Sequence, residues 1–442
     1  MIKRCLCLSS LVLLTAFFLS GCGASGWFEK DGPPPLEGER ISVMQMQKNL
    51  EPDNPVLESQ GLLAPAEWTN EFWPQVGGYP NHSMQNLSLP ANPLKRIWSA
   101  DIGDGATDEL PLITQPIIID GRIFTLDTDN RLSAFNIENG KKIWDTNVQA
   151  ENEDDSVIAG GIASSGGMLY VTNGYNEVLA VKPDDGQIIW RKTIPAPSRA
   201  APTIMQERVF VTTLDGRVMA LNAKDGSILW EYTGISDDAA LVGAASPAAN
   251  QDIVVPVFSS GEITALRIEN GSIAWSDNLS NIRSFGGLST ISDIRALPVM
   301  DKGVVFAISF SGRLVAIDER TGARIWQREV SGSQTPWMAG NHIFVLSSDN
   351  QLIALGRENG SIRWTAELPR FEDDDPQVFN GPVLAGGRLI LAGTDGRVIE
   401  VAPENGKILG EWDAGSTVST SPVIAGGILY LLTNDGTLSA YR

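Results

Sequence analysis

Groups that commonly do chemistry are scarce in this chain of 442 residues. It has two histidines, His82 and His342, and three cysteines, Cys5, Cys7 and Cys22. A Ser-His-Asp triad or an imidazole metal cluster has little material to draw on. His342 opens an apolar run with Ile343-Phe344, which is a structural setting. Carboxylates are plentiful, with 53 Asp and Glu against 33 Lys and Arg, and they gather in Glu151-Asn152-Glu153-Asp154-Asp155 and Glu372-Asp373-Asp374-Asp375. A calcium loop needs oxygen ligands at set spacing around a turn glycine. Neither run has that pattern, so both read as solvated loops. The sequence thus nominates no catalytic, cofactor-binding or metal-ligating residue.

The cysteines belong to the start of the chain. Lys3-Arg4 precedes an apolar run from Leu6 to Leu19, followed by Ser20-Gly21-Cys22. The run is too short for a stable membrane span and reads as a signal peptide over 1–21. Leu19-Ser20-Gly21-Cys22 resembles the bacterial lipobox, in which Cys22 becomes the lipidated first residue. Gly23 after it matches the outer-membrane sorting pattern, so the expected location is the periplasmic face of the outer membrane, held by a lipid anchor. A chain starting at Cys22 keeps no other thiol for a disulfide. It has 31 basic and 53 acidic residues, a net charge of −22. Phosphate would be repelled, so nucleic acid is excluded as a partner class.

The rest of the chain is a repeat. Pro202 to Trp230 holds an apolar run, Val209-Phe210-Val211, an Asp215-Gly216 turn, a second run, Val218-Met219-Ala220-Leu221, an Asp225-Gly226 turn, and Ile228-Leu229-Trp230. Short β-branched and aromatic runs between Asp-Gly turns predict antiparallel hairpins. Further copies start at Pro116, Gly161, Pro247, Pro298, Pro336, Pro382 and Pro422, and most end in Gly-x-x-x-Trp. Trp144, Trp190, Trp230, Trp275, Trp326 and Trp364 are spaced 46, 40, 45, 51 and 38 residues apart, a propeller-like period. In the copy from Pro382, Gly410 replaces the Trp. The copy from Pro422 lacks a final strand, whereas Leu94–Trp98 is a final strand with no repeat before it. Placing that strand in the last blade closes a ring and leaves short, protected edges. The expected fold is all-β: an eight-bladed β-propeller over 91–442.

The Gly-x-x-x-Trp endings, preceded by Ala220-Leu221, Ala265-Leu266 or Ala354-Leu355, resemble the quinoprotein-dehydrogenase, or PQQ-like, propeller repeat. A PQQ-dependent dehydrogenase would need a carboxylate base, a Ca²⁺ site and, typically, an adjacent Cys pair, and no such pair follows Cys22. The Trp positions read as packing between blades. A lipid-anchored, acidic propeller of this kind without dehydrogenase chemistry is similar to the BamB family of outer-membrane protein assembly lipoproteins. The resemblance implies a non-catalytic scaffold docking on the POTRA domains of BamA, beside companion lipoproteins, with unfolded outer-membrane protein precursors as further partners. It also implies that two neighbouring loops carry the partner contacts. The first family pattern falls on Leu241-Val242-Gly243, with Val242 in place of an Arg; the second falls on Ser292-Asp293-Ile294-Arg295, with Arg295 in place of an Asp. A stand-alone sensor or polymer-binding propeller remains open beside this reading, as does the enzyme.

Residues 22–90 read as a Pro-rich tether and surface arm. Within them, Phe72-Trp73-Pro74-Gln75-Val76-Gly77-Gly78 reads as a plug against the propeller end or as a partner motif. The longest interruption of the repeat, Ser276 to Leu297, and the Ser236–Ser246 loop should meet on one face.

Overall fold

Among the described residues, thirty-two strands form eight four-stranded antiparallel sheets in a closed ring. The computed structural model describes residues 50–53, 64–91, 93–153, 155–235, 243–280, 293–369 and 377–442. The expected signal peptide and tether to residue 49, with Cys22, lie outside these, as do Leu241, Val242, 281–292 and the 372–375 acidic run. Blades I to VII are consecutive: Ile117–Asn147, Gly161–Thr193, Thr203–Thr233, Ala248–Asn278, Val299–Arg328, Trp337–Glu367 and Phe379–Asp413. In each, the first strand lies at the channel and the fourth at the rim. Blade VIII takes three strands from Val423–Tyr441 and its outer strand, β1 (Arg96–Asp101), from the other end of the propeller. Trp98 pairs with Ala440, and Lys95 and Arg442 exchange backbone hydrogen bonds at 2.9 Å. The ring closes as the truncated last repeat predicts.

The Gly and Trp of the repeat are two halves of one contact. The Trp of each fourth strand donates its indole N–H to a carbonyl just beyond the third strand of the next blade: Trp144 to Pro183 (3.0 Å), Trp230 to Ile268 (3.0 Å), Trp326 to Arg357 (2.8 Å). Its ring covers the glycine of that neighbour's turn. A Cβ on Gly271 would lie 2.6 Å from Trp230 Cε3. An aromatic of the same blade packs on six of these rings, as Phe210 does on Trp230 at 5.7 Å, whereas Trp275 packs among aliphatic side chains. Each Trp therefore joins two blades by area, ring geometry and a satisfied polar atom.

Blade VII breaks this rule for a structural reason. Because the fourth strand of blade VIII is β1, no turn joins it to the third, and no glycine waits there for an indole. Gly410 holds the Trp position and leaves room for Glu400, which is fully buried with its carboxylate 3.0 Å from Arg388. Trp412 donates to Glu400 Oε1 (3.1 Å) and packs on Tyr441 at 4.8 Å.

The arm expected on the surface is, over Asn70–Leu89, part of the interior. Trp73, Met84 and Leu87 are essentially fully buried. The segment travels round the channel and bonds the exposed inner edge of every blade, mostly two residues beyond the repeat's leading proline. Trp73 pairs both ways with Ile118 of blade I (2.8 and 2.9 Å), and Pro74 O accepts from Ser164 of blade II (2.7 Å). The Gln75 side chain pairs both ways with Ile204 of blade III (3.0 Å each). Pro80 O accepts from Ala249 of blade IV, and Asn81 O from Met300 of blade V. Gln85 receives Gly340 and Trp337 of blade VI. Leu87 bonds Leu384 and Gly386 of blade VII, and Asn70 O accepts from Gly426 of blade VIII. Inner edge strands carry unpaired N–H and C=O groups, and this plug satisfies them.

Candidate functional site at the loop face

Each rim strand ends, and the next blade's inner strand begins, on the same face of the ring. The described ends of the two long loops meet there between blades III, IV and V. Residues 243–245 and 293–294, with Thr212, Leu214 and Phe258, line a small groove of about 50 Å³. A Cβ on Gly243 would lie 3.6 Å from Arg295 Nε.

The structure places the two described members of the expected partner set behind the surface. Asp293 is 6 % exposed, its carbonyl accepts from Phe310 N (3.0 Å), and Ile294 beside it is buried. Arg295 turns into the wall of the central channel. Burial holds its pKa below the usual arginine value, with Asp293 opposing the shift. The cause is local: Ile294 and Ala296 anchor the chain in the blade IV–V core just before β18 (Val299–Asp301), which leaves Arg295 facing inward. Leu241 and Val242 lie outside the described residues.

Two residues that the sequence reading passed over are exposed on this face. Leu214 is 40 % exposed at the turn between the second and third strands of blade III, and Ile235 is 64 % exposed just after that blade's rim strand. Both backbones are held: Leu214 N donates to Pro197 O (2.9 Å), and Ile235 N to Glu262 Oε2 (2.8 Å). A signal existed for Leu214. The turn Thr213-Leu214-Asp215-Gly216 carries Leu where the matching turn of blade VIII, Thr433-Asn434-Asp435-Gly436, carries Asn.

The histidines are structural in their bonding. His82 Nδ1–H donates to Pro298 O (2.7 Å), and burial lowers its pKa to about 4. His342 is lowered to about 4 by burial and then by Arg363, 3.4 Å away. Among the described residues no group of three or more His, Cys, Asp or Glu is placed to hold a metal.

The sequence profile of outer membrane protein assembly factor BamB matches residues 128–366 and 372–442. The chain belongs to the BamB family. BamB of Yersinia pestis is 24 % identical over 404 residues, covering 90 % of this chain and all of the relative. BamB of Escherichia coli is 26 % identical over 400 residues, covering 89 % and 99 %. The crystal structure of BamB from Moraxella catarrhalis superimposes with a TM-score of 0.67 at 18 % identity, over 79 % of this chain and 100 % of that one. Quinohemoprotein alcohol dehydrogenase from Comamonas testosteroni gives 0.65 at 13 % identity, over 84 % and 80 %. At such identities, both structures speak for the propeller fold alone.

Proposed function

We propose that this chain is a non-catalytic scaffold of the outer-membrane β-barrel assembly machinery, docking through its loop face on the POTRA domains of BamA. Membership of the BamB family is the observation that carries this reading. Support for the surface comes from Leu214 and Ile235, apolar side chains on backbone held by hydrogen bonds, beside the groove where the two long loops meet. A rigidly presented apolar pair rimmed by polar loops suits a docking patch. Leu241 and Val242, the remaining expected contacts, lie in the sequence between Ile235 and the groove residue Gly243, while Asp293 and Arg295 support the groove from behind. Val242 in place of an Arg and Arg295 in place of an Asp form a compensating exchange across the two loops. The acidic surface steers a basic partner. Cys22 anchors the chain to the periplasmic face of the outer membrane by its lipid, and unfolded barrel precursors pass near the exposed loops.

Pull-down of the tagged chain in mild detergent tests the reading. BamA and companion lipoproteins should be recovered. Their absence from a folded, membrane-attached sample would refute the scaffold role.

A further inference from the structure

The plug turns the central channel into a cup. Trp73, Val76, Gly77 and His82 form its floor, and residues just before or at the start of the inner strands of blades I and V to VIII form its wall, enclosing about 150 Å³. A cavity of that size accepts a ligand about as large as benzene. Three observations say what kind of ligand. Arg295 is the cation of the lining, which contains no Asp, Glu or Lys. Among the described residues its guanidinium has no hydrogen-bond or ion-pair partner closer than the field of Asp293. A mostly buried cation that leans on the field of one carboxylate is still costly to desolvate, and a second anion on its guanidinium offsets part of that cost. His82 is 4 % exposed, and its Nδ1 proton is committed to Pro298, which leaves Nε2 as a buried acceptor without a partner. Ile113, Leu297, Trp337 and Val383 add apolar surface.

By contrast, the polar groups of the plug and wall around Gln115 are already used. Gln115 Oε1 accepts from Trp73 Nε1 (3.2 Å) and Gly77 N (3.0 Å), and its amide donates to Ser421 O (3.1 Å). Among the groups that remain, beside the hydroxyls of Ser333, Ser419, Thr420 and Ser421, Arg295 is the cation and His82 Nε2 a buried neutral acceptor.

We propose that the cup binds an N-acylated amino-acid carboxylate, with the carboxylate on Arg295 and the amide N–H toward His82 Nε2. Two sources share this chemistry: a free acyl-amino acid, and the C-terminal residue of a polypeptide entering from the loop face. The inference does not rest on the docking role, and either can fail alone.

Trp73 and Trp337 line the cup, so their fluorescence reports occupancy in the full chain. The probes are N-acetylglycine, the tripeptide Ala-Ala-Gly and its C-terminal amide, with calorimetry beside fluorescence. The acid and the free tripeptide should bind and the amide should not. Binding of the tripeptide alone assigns the site to chain ends; binding of the acid alone assigns it to a free metabolite. Arg295→Met should weaken binding by about tenfold or more, as loss of charge-assisted hydrogen bonds does. The same variant should keep a cooperative urea transition, which separates lost binding from lost folding. No binding of either acid at 10 mM, equal binding of the amide, or binding unchanged in Arg295→Met would each overturn the proposal.

Discussion

Replacing Gly271 by Ala tests the idea that the repeat's Gly and Trp are one steric lock. Gly271 has φ +71°, and an added Cβ would sit 2.6 Å from Trp230 Cε3. Gly121 has φ +72°, yet an added Cβ there meets nothing nearer than Ile137 Cγ2 at 4.0 Å. Both substitutions carry the left-handed backbone cost of about 1–2 kcal/mol. Gly271→Ala alone must also push back a buried indole that is bonded to Ile268, an overpacking cost of about 1–3 kcal/mol. Urea unfolding followed by circular dichroism should therefore place Gly271→Ala about 1–3 kcal/mol below Gly121→Ala at unchanged m-value. In a Trp230→Leu background the excess should vanish, since the clashing ring is gone. Equal losses in the two single variants, or an excess that survives in Trp230→Leu, would refute the lock.

Other expectations follow from buried polar groups. Glu400→Gln leaves Arg388 charged and unpaired at 4 % side-chain exposure and should cost about 3–5 kcal/mol in urea unfolding. Gln75→Ala strips partners from both the N–H and C=O of Ile204 and should cost about 2–5 kcal/mol. His82 has a folded pKa of about 4 against 6.5 unfolded, so below pH 6.5 the unfolded chain takes up a proton that the fold refuses until about pH 4. Its contribution to stability is thus present above pH 6.5 and declines as pH falls toward 4, by about 1.4 kcal/mol per pH unit. His82→Gln should have a correspondingly shallower pH dependence over that window in matched urea titrations.

The ring was legible because its steric lock repeats. Each blade needs a glycine where the previous indole lands, and that requirement writes Gly-x-x-x-Trp at a period near 45 residues. Closure was legible too, since Leu94–Trp98 carries the missing strand's residues. The exception at Gly410 shows in the sequence as a substitution, but its reason, the absent turn of blade VIII, appears only once β1 is in place. The plug was legible over Phe72–Gly78 and hidden elsewhere. It bonds strand edges mainly through backbone atoms, and backbone pairing of an irregular segment leaves no side-chain period to read. Arg295 shows the same limit: the sequence put it on a loop, whereas the burial of Ile294 and Ala296 decides that it faces the channel.

Binding of the purified POTRA domains of the same organism's BamA to this chain tests the central claim most directly. Calorimetry should give a saturable complex, and Leu214→Glu with Ile235→Glu should weaken it at least about tenfold, as buried charge in an apolar contact does. The urea midpoint should stay the same, because both side chains are exposed. A parent chain that fails to bind, or a double variant that binds as tightly as the parent, would contradict the account.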